Sequence, residues 1–195
     1  MDFFSNPIEV ASVFCSLVFI AGVARQKIWA WAFGIVGSFL ACILFFQEKL
    51  YSESYLQGLY IVLGFYGWWK WRILQKLTVN HSVHRAVISE LPLGIHVAFL
   101  IIGFALTLLT GWYFGHYTQA HYPYLDAFTT IFAIIATILE ARKVLSCWYY
   151  WLVVNPVSVT LYIIKDLQLY TVLGIVFSLM SVWGLVSWRR AMRIY

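Results

Sequence analysis

The chain has 195 residues, of which 63% are hydrophobic and only 11% charged, and its mean hydropathy is +0.81. A water-soluble domain needs about a quarter of its residues charged to clothe its surface, so the composition excludes a soluble globule and makes lipid the solvent. The formal net charge of +5 does not point to nucleic acid, because the cations sit in short loops between apolar runs. There they carry orientation rather than a phosphate-binding patch.

A helix crossing the hydrocarbon core needs about 20 mostly apolar residues. Seven segments meet that need, at 8–24, 28–47, 51–72, 92–112, 124–141, 147–165 and 168–188. Asp2 and Glu9 open the first, with no Lys or Arg before it, so it lacks the positive n-region of a signal peptide and is expected to be retained as a helix. The connections Arg25-Gln26-Lys27 and Glu48-Lys49-Leu50 are so short that consecutive helices must be antiparallel neighbours. Pro92 and Pro123 fall near helix starts, where a missing N–H costs little. Pro156 falls inside the sixth segment and is expected to kink it or break one hydrogen bond. Cys15, Cys42 and Cys147 lie in or beside apolar segments without paired spacing, which suits small core residues rather than a disulfide or metal site. His81, His84, His116 and His121 are placed in loops without carboxylate or Cys partners, so no metal is expected.

The Lys and Arg residues orient these segments. Arg25, Lys27, Lys70, Arg72, Lys76, Arg85, Arg142, Lys143, Arg189, Arg190 and Arg193 fall on one side, and only Lys49 and Lys165 on the other. That bias predicts an external N-terminus and a cytoplasmic C-terminus.

An internal repeat organises the chain. Residues 24–72 answer residues 141–189 at an offset of 117 without a gap. Ala24-Arg25 meets Ala141-Arg142, Trp31 meets Trp148 and Leu44 meets Leu161. Leu50, Leu56, Gly67, Trp71 and Arg72 meet Leu167, Leu173, Gly184, Trp188 and Arg189. Each copy holds three helices, an odd number, so two copies joined directly would be inverted. The helix at 92–112 restores the orientation. The expected architecture is therefore an all-α integral membrane protein of seven transmembrane helices, a 3+1+3 parallel repeat like that of SWEET proteins. Residues 1–72 form the first repeat, 73–120 a basic cytoplasmic loop and linker helix, and 121–195 the second repeat.

Two polar stripes interrupt the apolar helices. In the sixth, Trp148, Trp151, Asn155, Ser158 and Tyr162 recur at steps of three and four, which places them on one face. An amide in the bilayer is costly unless it finds partners, so Asn155 should point into the bundle. Paired indoles above an amide and a hydroxyl suit a flat, polar, cationic ring through stacking and cation–π attraction. The alternative is a helix-packing surface with one interhelical hydrogen bond at Asn155. The matching positions of the first copy are Trp31, Gly34, Ser38, Ala41 and Phe45, mostly small. A second stripe runs through Glu53, Gln57, Tyr60, Gly64, Gly67 and Trp71, with Gln57 and Tyr60 placed to meet a ligand. Glu53 and Asp126 are expected at the interface, and Glu140 in a solvated salt bridge with Arg142. No charged residue is expected at mid-membrane, which favours an uncoupled carrier. Nothing resembles a catalytic constellation, so neither an enzyme nor a cofactor is expected.

The stretches Phe45-Phe46-Gln47, Leu50-Tyr51, Leu56-Gln57 and Tyr66-Gly67-Trp68-Trp69-Lys70-Trp71, followed by Arg142-Lys143, Trp148-x-x-Trp151 and Asn155-x-x-Ser158-Val159, resemble the Pnu family of bacterial vitamin transporters. The resemblance covers almost the whole chain. It implies a seven-helix transporter of the bacterial inner membrane that carries a soluble vitamin by facilitated diffusion, with trapping by an intracellular kinase, and that assembles as a homotrimer. It also implies a ligand held between the repeats by Trp148, Trp151, Asn155 and Gln57. Ser38, Tyr60, Ser158 and Tyr162 join the substrate-binding set from helical spacing. Within the family, nicotinamide riboside is favoured as substrate, ahead of thiamine, with riboflavin a further branch. A Glu140 facing the pore would favour thiamine. The competing class is a sugar or other small-solute carrier on the same scaffold.

Overall fold

A computed structural model describes residues 7–47, 51–80, 88–118, 122–165 and 168–194. Asp2, Glu48, Lys49, Leu50, His81, His84, Arg85, His121 and Leu167 lie outside the described residues, as does the side chain of Glu53. Lipid offers no partner to backbone N–H and C=O groups, so segments this apolar must satisfy them internally. Seven helices among the described residues do so: α1 (Pro7–Ala24), α2 (Ala30–Gln47), α3 (Tyr51–Asn80), α4 (Leu93–Tyr117), α5 (Pro123–Ala141), α6 (Cys147–Ile164) and α7 (Gln168–Ile194). Six of them are long and apolar enough to cross a membrane. The exception is α3, which at 30 residues has ample length but is diluted by Gln57 and by Tyr and Trp rings.

The helices outlast the apolar segments. α3 runs to Asn80 rather than residue 72, α4 to Tyr117 rather than 112, and α7 to Ile194 rather than 188. The first charged or polar residue marks the limit of hydrocarbon, whereas Leu74, Gln75 and Lys76 remain good helix formers in water. His116, expected in a loop, consequently sits in the last turn of α4 and stacks on Trp112 with ring centroids 5.4 Å apart.

The chain divides into two compact units. The first comprises Met1–Ile88, Ala141–Lys143 and Trp183–Tyr195. Close approach of α1 to α2 is made possible at Gly37, whose carbonyl accepts from Ser12 Oγ at 3.1 Å. α3 meets α2 at Gly67, where the ring of Trp31 occupies the space a Cβ would take. The core is then built of indoles. Trp31 and Trp71 pack edge to face at 5.6 Å, and Trp71 lies 6.2 Å from Trp188. Trp188 Nε1 and Ser187 Oγ donate to the carbonyls of Val23 and Ala24 at 3.1 and 2.8 Å, which ties α7 to the end of α1. Lys143 Nζ stands 4.5 Å from the centre of the Trp71 ring and 3.5 Å from Gln26 Oε1.

The second unit comprises Ser89–Glu140 and Val144–Val182. α4 buries only the narrow row Gly103, Thr107 and Gly111, against which lie the rings of Phe132 and Tyr124 from α5. Lys165 Nζ and Asp126 Oδ1 form an ion pair at 2.7 Å that ties the end of α6 to the start of α5.

The turns at the ends of α1 and α5 are built alike. Gln26 and Lys143 are the two non-glycine residues with positive φ among those described, at 57° and 53°. Lys27 N donates to Gly22 O and Val144 N to Leu139 O, both at 2.9 Å. The next two bonds also recur, Ala30 N to Lys27 O with Cys147 N to Val144 O, and Trp31 N to Ile28 O with Trp148 N to Leu145 O. Each member of these pairs lies 117 residues from its counterpart. The same spacing separates Gln26 from Lys143 and Trp71 from Trp188, which touch each other.

Lys143 lies in the turn between α5 and α6, outside the spanning segments. Burial pushes its ammonium down from 10.5 to about 8. Between those values the unfolded chain holds a proton that the folded chain has released, so stability rises with pH across that window. In thermal unfolding of the detergent-purified protein, wild type should gain up to about 3 kcal/mol relative to Lys143→Met as pH rises from 8 to 10.5. Parallel pH profiles would show that Lys143 titrates normally.

Candidate functional site

α6 begins immediately after the α5–α6 turn, and that turn fixes the helix's rotation. Its inward face carries Trp148, wholly buried, then Trp151, half-buried, then Asn155, buried, then Ser158 and Tyr162, both half-buried. Tyr149, Val153, Pro156, Thr160 and Ile163 lie on the exposed side. The step of three and four thus places all five predicted residues on one face, as expected. Pro156 leaves the carbonyl of Leu152 without its helical donor.

Two hydrogen bonds fix this face. Trp151 Nε1 donates to Glu140 Oε2 at 2.8 Å. Asn155 Nδ2 donates to Ser181 Oγ at 2.9 Å, and Ser181 Oγ donates onward to Phe177 O at 2.8 Å. The chain of donors orients the Asn155 amide and anchors it to α7. Further along, the rings of Tyr162 and Tyr170 meet at 5.8 Å.

Glu140 corrects the sequence reading. It is not a solvated partner of Arg142: only 1% of it is exposed, and Arg142 is exposed and donates from Nε to the Tyr66 hydroxyl at 3.2 Å. The reason is helical geometry, since residues two apart do not face the same way. Ser181, buried on α7, is a residue that the sequence reading did not single out. Its signal is its place in the buried row Gly174, Ser181, Gly184 and Trp188.

The remaining predicted residues lie in the first unit. Ser38 on α2 and Gln57 and Tyr60 on α3 are half-buried. Their helices are joined by the Ser54 hydroxyl, which donates to Cys42 O at 3.0 Å.

Apolar helices of this length, with indoles and an amide held on one inward face, define a multi-pass membrane protein with a polar interior stripe. Residues 6–190 match the nicotinamide mononucleotide transporter family, and the chain belongs to that family, the Pnu-type group its motifs resemble. It is 22% identical to the nicotinamide riboside transporter PnuC of Escherichia coli (strain K12), over 95% of this chain and 86% of that one. It is 24% identical to PnuC of Neisseria mucosa, over 95% and 72%, and 22% identical to the riboflavin/roseoflavin transporter RibM of Streptomyces davaonensis, over 88% and 79%. The crystal structure of the vitamin B3 transporter PnuC superposes with a TM-score of 0.78 at 20% identity, covering 98% of this chain and 86% of that one. The two share a fold. The relatives are named as transporters, and the chain is a transporter-family protein rather than an enzyme.

If the Asn155–Ser181 bond holds α6 to α7, Asn155→Ala and Ser181→Ala should each cost about 1 kcal/mol in thermal unfolding. The double variant should then cost clearly less than their sum. Additive losses would separate the two side chains.

Proposed function

We propose that this chain carries a B vitamin with a positively charged aromatic ring across the bacterial inner membrane, nicotinamide riboside first and thiamine second. The observation that carries this reading is the inward face of α6, where an indole and an amide are held in fixed orientation within a chain of this family. Trp151 supplies a face for stacking and cation–π attraction, Trp148 supports it from the buried side, and Asn155 orients the ligand. Ser158 and Tyr162 extend the face, and Ser38 on α2 and Gln57 and Tyr60 on α3 are further candidate ligand contacts. The named substrates of the relatives, nicotinamide riboside and riboflavin, support a vitamin.

We also infer seven spanning helices in a 3+1+3 parallel repeat, with α3 crossing despite its lower hydropathy and the N-terminus outside. The matching turns at 22–31 and 139–148 support the repeat. So do the contacts of Gln26 with Lys143 and of Trp71 with Trp188, because positions on a twofold axis must meet their own counterparts. Transport is facilitated diffusion, with the substrate trapped by intracellular phosphorylation, and the assembly is a homotrimer.

Calorimetry on the purified protein should show binding of nicotinamide riboside or thiamine, and Trp151→Ala should weaken it by about 1–3 kcal/mol. No binding of nicotinamide riboside, thiamine or riboflavin would overturn the function. A cysteine placed at position 2 should react with an impermeant reagent added outside whole cells; protection there, with labelling only after lysis, would reverse the orientation.

A further inference from the structure

We propose that Glu140, acting through Trp151, sets the charge selectivity of the site: it makes the α6 face prefer a cationic ring over a neutral ring of the same shape. The inference deepens the proposed function and rests on it. Glu140 is a positioning and polarising residue and need not touch the substrate.

Three observations lead there. First, Glu140 is a carboxyl group buried in the last turn of a membrane-length helix, 1% exposed. A carboxyl group withdrawn from water is expensive unless a partner offsets the loss. Second, its Oε2 accepts the Trp151 indole N–H at 2.8 Å. A carboxylate on the indole nitrogen pushes electron density into the ring, so the ring face becomes a stronger partner for a cation. The same negative charge acts through a low-dielectric interior, where attraction is far greater than in water. Third, packing does not require a carboxylate here. The position 117 residues earlier, at the same place before the same turn, is Val23, wholly buried. The position equivalent to Trp151 is Gly34. The acid and the indole therefore occur together in one turn and are both absent from the other.

Glu140→Gln keeps the side chain's length and volume and an oxygen for the indole N–H, and it removes the charge. The test measures affinity for two ligand pairs by calorimetry on the full chain in detergent. Nicotinamide riboside is compared with its 1,4-dihydro form, which keeps the ribose and amide but has a neutral ring. Thiamine is compared with 3-deazathiamine, in which a neutral thiophene replaces the thiazolium. The pair whose cationic member binds is the one read. Wild type should prefer the cation by roughly tenfold or more, and Glu140→Gln should reduce that ratio to near one while leaving affinity for the neutral member within about twofold. Trp151→Phe, which keeps an aromatic face and loses the N–H, should also lower the ratio, and it serves where the glutamine variant does not fold.

Wild type binding both members of a pair equally would overturn this inference and leave the proposed function standing. An unchanged ratio in a folded Glu140→Gln, or in Trp151→Phe where the glutamine variant does not fold, would do the same. Wild type binding no vitamin would sink both.

Discussion

The contact on which the first unit turns is that of the Lys143 ammonium with the face of Trp71, at 4.5 Å. A buried ammonium is tolerated only where something replaces its water. Here the replacements are an aromatic face and the Gln26 amide. The two turns that supply Gln26 and Lys143 both place a side-chain-bearing residue in the left-handed region, a conformation that costs roughly 1–2 kcal/mol without glycine. Each turn accepts that strain to bring its polar side chain inward. Trp71 can then meet Lys143 on one side and the Trp31 edge and Trp188 on others. Replacing Trp71 would leave the ammonium without its cushion.

A second constraint follows from the solvent. With lipid outside, hydroxyl groups must bond within the protein, and most bond back onto their own helix. Thr107, Thr129, Thr137, Thr160, Ser178 and Ser181 all donate to a carbonyl four residues earlier. Such bonds consume polarity locally and say little about function. Against that background, bonds between side chains on different helices are informative. Trp151 to Glu140 and Asn155 to Ser181 both lie on the same face of α6. Ser181 also bonds back along its own helix, which fixes the direction in which it accepts.

How much of this was legible in the sequence varied with the physics involved. The inward face of α6 was, because a polar run at steps of three and four in an apolar helix has one economical orientation. Helix existence was legible and helix ends were not, since hydropathy reads the edge of the hydrocarbon while the backbone continues through Leu74 or His116. Glu140 was misread because its neighbour in sequence, Arg142, was taken for its neighbour in space. What decides its partner is the reversal of the chain at Lys143, which folds α6 back alongside α5 and returns Trp151 to the carboxylate eleven residues behind it. Ser181 was overlooked because a serine in an apolar helix is ordinarily a back-bonded spectator, and its second bond depends on a residue 26 positions away.

Positions 117 residues apart keep three pairs of buried apolar residues and differ at the polar face of α6. Trp31 and Trp148, Leu44 and Leu161, Trp71 and Trp188 are all buried. Val23, Gly34, Ser38 and Gly64 are answered by Glu140, Trp151, Asn155 and Ser181. Those four replacements are not scattered. The glutamate accepts from the tryptophan and the asparagine donates to the serine, so each polar newcomer arrives with the partner that makes its burial affordable. A lone Glu140 or a lone Asn155 would carry the desolvation penalty of an unsatisfied group in lipid. The pairing lets four polar or aromatic groups share one interior face, while the positions 117 residues earlier carry valine, glycine and serine and need no such partners.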